Sequence, residues 1–154
     1  MLERIAALLA GLWGGVLLGI GAIGAPAGFA VIPLELAGRS AGRMFAIEAY
    51  VSLAIAVVLL LLLRRTAASR SDSGFNTEIL LVLGSLFCLI VGYFVLQPMM
   101  AAARAGQGSM SFASLHALAG LFFAAKSLMV IALAWRLSPS PGRSQTSRSG
   151  TPRP

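Results

Sequence analysis

Three ionisable side chains, Glu48, His116 and Lys126, fall inside long apolar stretches of the sequence. On insertion scales such a group costs about 2.5–3.5 kcal/mol at the centre of a membrane helix, which makes each a candidate for ion pairing, proton exchange or ligand binding. Counted along helices rising 1.5 Å per residue, Glu48 lies roughly 8 Å outward of the midplane, His116 roughly 13 Å outward and Lys126 close to it. Glu48 therefore reaches either partner. With Lys126 it would cancel two charges in a low dielectric; with His116 it would orient the imidazole for proton exchange or ligand binding. The simpler alternative to a functional site is a structural pair that fixes how the second and fourth helices pack.

The soft donors Cys88, His116, Met99, Met100 and Met110 suggest a copper-like or redox site. Depth counts against Cys88, which sits near the midplane, roughly 13 Å from His116. One His cannot supply paired axial ligands to a haem, and an isolated core thiol is the ordinary reading of Cys88. No metal ligand set and no cofactor is assigned. Nor is there a Ser, His and Asp set for acyl transfer, because the only Asp, Asp72, falls in a loop at the opposite face from His116. An enzyme is not expected.

These side chains need elements to hold them, and composition says which. Of 154 residues 58% are hydrophobic and 11% charged, against about 25% charged in a soluble domain. A mean hydropathy of +0.88 agrees. Too few polar side chains remain to coat a water-soluble surface, which excludes a soluble enzyme, a disulfide scaffold with its one Cys, and a disordered chain. Four runs are long enough to cross a bilayer core of about 30 Å: residues 5–24, 44–63, 79–96 and 114–135. Pro26 and Pro33 disturb the end of the first, Arg64 and Arg65 close the second, and Gln97 with Pro98 marks the end of the third or a kink in it. The expected fold is an all-α, integral membrane four-helix bundle over residues 1–137. Residues 138–154, rich in Pro, Ser and Arg, read as a disordered basic tail.

The net charge of +7 would suggest nucleic acid in a soluble protein, but the basic residues flank the apolar runs and no basic stripe carries interleaved aromatics. Nucleic acid is not an expected partner. Arginines outside the spans divide eight to three, with Arg39, Arg43 and Arg104 in the minority. The positive-inside rule then puts both termini in the cytoplasm. A cleaved signal sequence is the alternative for the first run, since Ala25-Pro26-Ala27 fits a small-x-small site; the length of the run and Glu3 count against it.

Gly19-Ile20-Gly21-Ala22-Ile23-Gly24 matches a dinucleotide fingerprint in letters only, because it ends an apolar span rather than joining a strand to a helix. Ala7, Gly11, Gly15 and Gly19 recur every four residues, a small-residue stripe for close helix contact within the chain or with another copy. Glu35, Arg39 and Arg43 share the same spacing, so on a helix the acid lies one turn before the base and helps hold a short interfacial segment, with Arg43 at the lip of the second span.

Several pieces together resemble the bacterial branch of the transmembrane-protein-205-like family, across most of residues 8–136. They are Leu12-Trp13-Gly14, Ala25-Pro26 with Phe29, Ala37-Gly38, Ala41-Gly42-Arg43-Met44-Phe45, Leu96-Gln97-Pro98-Met99-Met100-Ala101, Phe112 and Leu115-His116. The resemblance implies a four-span domain of a bacterial inner membrane, without an assigned reaction. Lys126 departs from the family pattern, and Glu48 is a second candidate departure, as a compensating pair would. Pro26, Phe29, Arg43, Gln97, Pro98 and His116 all fall toward the outer helix ends. That predicts an outward polar cluster of Arg43, Gln97 and His116, with Glu48 and Lys126 below. The role expected is binding or passage of a small solute, or support of a membrane complex, with a homo-oligomer or another membrane protein as partner.

Overall fold

The computed structural model describes residues 1–69 and 77–138. Arg70, Asp72 and the tail beyond Ser138 lie outside the described residues. Those described form four helices, each long and apolar enough to cross a membrane: α1 Leu2–Val31, α2 Leu34–Ser69, α3 Thr77–Arg104 and α4 Phe112–Leu137. The all-α bundle is as expected. Its helices outrun the apolar runs, and α2, at 36 residues, is about 54 Å long. Glu35, Arg39 and Arg43 stand on the opening turns of α2, and the helix continues past Arg64 and Arg65 to Ser69. Charged side chains end the apolar stretch without ending the helix, since Arg is a good helix former and reaches past the lipid boundary.

Both prolines inside helices sit just beyond a π-helical turn. Gly19–Gly24 precedes Pro26 in α1, and Ile90–Val95 precedes Pro98 in α3. Proline lacks an N–H and its ring crowds the carbonyl four residues back, here Ala22 and Phe94, both within the widened turns. The helices therefore continue past the prolines instead of ending there. Pro33 does stop a helix: Ile32 before it is extended at φ −124°, ψ 156°, as a residue before proline prefers.

The helices pack in a ring, α1 on α2, α2 on α3, α3 on α4 and α4 on α1. Helices α1 and α3 occupy one diagonal, α2 and α4 the other. One apolar core, nearer the chain ends, joins Ala6, Ala10, Trp13 and Leu17 to Leu59, Val82, Val130 and Leu133; a smaller one near the α3–α4 loop holds Leu96, Met100 and Leu115. Leu8, Leu12, Phe87, Leu121 and Leu128 are exposed, the outward apolar belt a bilayer would cover. Arg136 binds Glu78 through Nε and Nη2, both at 2.9 Å, and ties α4 to α3 near the chain ends.

Candidate functional site

Glu48 and Lys126 meet on the bundle axis. Each stands fourteen residues beyond the first residue of its helix, on the two helices that face each other diagonally. The Lys126 ammonium donates to Glu48 Oε1 at 2.7 Å and Oε2 at 2.9 Å, and the two side chains are 4% and 3% exposed. Only two long side chains can span that diagonal. Ser52, one turn along α2, donates its hydroxyl to Glu48 Oε1, and the Trp13 indole of α1 donates to Ser52 Oγ at 2.6 Å. Three helices thus enter one buried chain, Trp13 to Ser52 to Glu48 to Lys126. Among the described residues no buried side-chain nitrogen or oxygen lacks a partner. An ion pair withdrawn from water holds only when its remaining hydrogen-bonding capacity is met in this way.

Aromatic packing closes the far side of the ammonium. Lys126 Nζ lies 5.0 Å from the Phe123 ring centre, and Phe45 meets that ring edge-on at 5.2 Å. Phe123 fits because Gly21, in the π-helical turn of α1, has no side chain: a Cβ there would stand 2.5 Å from Phe123 Cε1. The widened turn before Pro26 and the ion pair are therefore linked through one ring.

Of the two partners left open for Glu48, Lys126 is the one it meets. His116 is exposed near the α3–α4 loop, its ring stacked on Phe112 at 5.7 Å and 17°, with the Arg104 guanidinium 4.4 Å from the same Phe112 ring. Arg43 is exposed on α2 and Gln97 half-buried on α3; no hydrogen bond or ion pair joins either, or His116, to the axial pair. The expected cluster thus separates into an axial pair and residues toward the helix ends that carry the Ile32–Pro33 and Ala105–Ser111 turns. Distance along a helix does not say which face a residue occupies, and here the face decides the partner. Trp13 and Ser52 carried no role in the sequence reading. Ser52 was within reach of inference, four residues from Glu48 on the same helical face; the Trp13 contact, between residues 39 apart, was not.

The small-residue stripe does not pack inside the bundle. Helix α1 buries Ala6, Ala10, Trp13, Gly14 and Leu17 instead, and nothing among the described residues lies within 4 Å of a Cβ on Gly11, Gly15 or Gly19. Gly11 and Gly15 line a shallow apolar groove on the outward surface with Leu8, Leu12 and Val16; Ala7 and Gly19 are half-buried beside it. A cleft of about 150 Å³ near the α3–α4 loop is lined by Met99, Ala102, Gln107, Gly108, Ser109, Met110 and Leu115. Two methionines of the suggested copper-like set share that cleft, whereas His116 does not line it and Cys88 is buried on α3. Among the described residues no group of three His, Cys, Asp or Glu side chains is placed to hold a metal.

Fold and site together define a four-helix membrane bundle stitched along its axis by a sealed ion pair. The chain belongs to the family described as Domain of unknown function (DUF4149), whose profile matches residues 8–109. That segment holds Trp13, Glu48 and Ser52, while Lys126 lies beyond it. No curated protein and no solved structure matches the chain.

Proposed function

We propose that this protein works in the bacterial inner membrane as a non-enzymatic helical module that supports a membrane complex through the outward face of α1. The carrying observation is the groove at Gly11 and Gly15, which the described residues leave open while the opposite face of α1 fills the core. Without a hydrophobic driving force between helices in lipid, association rests on close backbone approach along such small-residue faces. Either a second copy or another membrane protein fits this role. The Glu48–Lys126 pair supports the reading from the other side, because it fixes the diagonal of the bundle and so holds α1 against its neighbours. Membership of the narrower transmembrane-protein-205-like family is supported by Leu12-Trp13-Gly14, Leu96-Gln97-Pro98-Met99-Met100-Ala101 and Leu115-His116.

Both termini are taken as cytoplasmic on the eight-to-three arginine division, so that the Ile32–Pro33 and Ala105–Ser111 turns face outward. Gly11→Leu combined with Gly15→Leu tests the groove with little effect on folding, since none of the described residues crowds either position. The expected result on native gels of mild-detergent extracts is a species larger than the monomer for the parent and the monomer alone for the variant. A parent that runs only as monomer when extracted with its native lipids would overturn the reading.

A further inference from the structure

We infer that the cluster of Arg104, Phe112 and His116 binds the phosphate of an anionic phospholipid headgroup where α3 and α4 meet the membrane surface. Arg104 is the last residue of α3 and Phe112 the first of α4, so a seven-residue turn brings them together. That turn is built: Gly106 takes a left-handed φ of 72°, its N–H bonds Ala103 O at 3.2 Å, and Gln107 N–H bonds Ala102 O at 2.9 Å. This is a glycine helix stop that satisfies the last carbonyls of α3, which would otherwise present partial negative charge to an incoming anion. The guanidinium lies 4.4 Å from the Phe112 ring and His116 stacks on that ring, which restrains the arginine fork and leaves its exposed N–H groups available for paired oxygen acceptors.

Charge and shape favour a lipid as the source of the phosphate. Arg39 has Glu35 beside it and Glu48 is taken by Lys126, whereas no carboxylate among the described residues pairs with Arg104. The cleft beside the turn is amphipathic, lined by Gln107, Ser109 and Met110 from the loop and by Met99 and Leu115 from the two helices. A phospholipid presents that same succession from headgroup through glycerol to acyl chain. One basic residue near anionic lipid is worth about a fivefold change in binding.

Native mass spectrometry of the full chain, incubated with equimolar phosphatidylglycerol and phosphatidylcholine in detergent, tests this directly. The expected result is a preference for phosphatidylglycerol of about fivefold that disappears in Arg104→Gln, weakens in Phe112→Leu and is partly kept in Arg104→Lys. Millimolar inorganic phosphate should not displace the lipid. Equal retention of the two lipids, a preference that survives Arg104→Gln, or displacement by inorganic phosphate would each overturn the assignment. Arg104 is exposed, and an unchanged melting temperature of Arg104→Gln separates lost binding from lost folding.

Discussion

At Glu48 and Lys126 the decisive quantity is the cost of an unpartnered charge. Removing one member leaves the other buried without its counter-ion, which costs about 3–5 kcal/mol, whereas replacing both with apolar side chains of similar volume is often neutral or stabilising. Glu48→Ala and Lys126→Ala should each lower the melting temperature and the folded yield, and Glu48→Met combined with Lys126→Met should recover most of the loss. Recovered stability without recovered complex formation would give the pair a role beyond packing. Glu48→Asp should behave like the loss of the carboxylate, because the pair spans a diagonal and one fewer methylene falls short. Ser52→Ala strands the Trp13 indole N–H at a cost of about 1–3 kcal/mol, and thermal unfolding followed by tryptophan fluorescence would register it. At this scale Glu48 and Lys126 were legible as costly groups in need of partners. That Lys126, and not His116, answers Glu48 was not legible, because the choice depends on which helix faces point inward.

At the scale of the element, the informative positions are glycines where helices approach closely. A Cβ on Gly92, in the π-helical turn of α3, would stand 2.7 Å from the Phe122 Cβ, an atom that no rotamer change can move. On Gly84 it would meet the Met129 Sδ at 2.8 Å, the far end of a flexible side chain. Gly92→Ala should therefore cost about 1–3 kcal/mol by overpacking and Gly84→Ala distinctly less, an order that thermal melts of the two variants would check. Sequence periodicity could find the Gly11, Gly15 and Gly19 spacing but could not tell inside from outside, since in a membrane both faces of a helix are apolar and the usual contrast between core and surface is missing. The prolines show the same limit. Pro26 and Pro98 announced a disturbance, and only the structure showed that a widened turn lets each helix continue.

For the whole molecule, the ring of four helices puts the two turns at one end and the described chain ends at the other. The arginine division then makes a topological prediction. In a Cys88→Ala background, Gln107→Cys should react with a membrane-impermeant maleimide in intact cells, whereas a carboxyl-terminal reporter should be active only in the cytoplasm. Labelling of position 107 only after lysis would reverse the assigned orientation.

Amino-acid order alone determined that the chain has four apolar helices and which charges among them need compensation, because apolar run length and the cost of burying charge are local properties of the sequence. Tertiary structure decided the ring order, the diagonal ion pair with its Ser52 and Trp13 partners, and the outward turn of the glycine stripe. These depend on helix rotation and on contacts between residues as far apart as 78 positions, where chain-local periodicity carries no information.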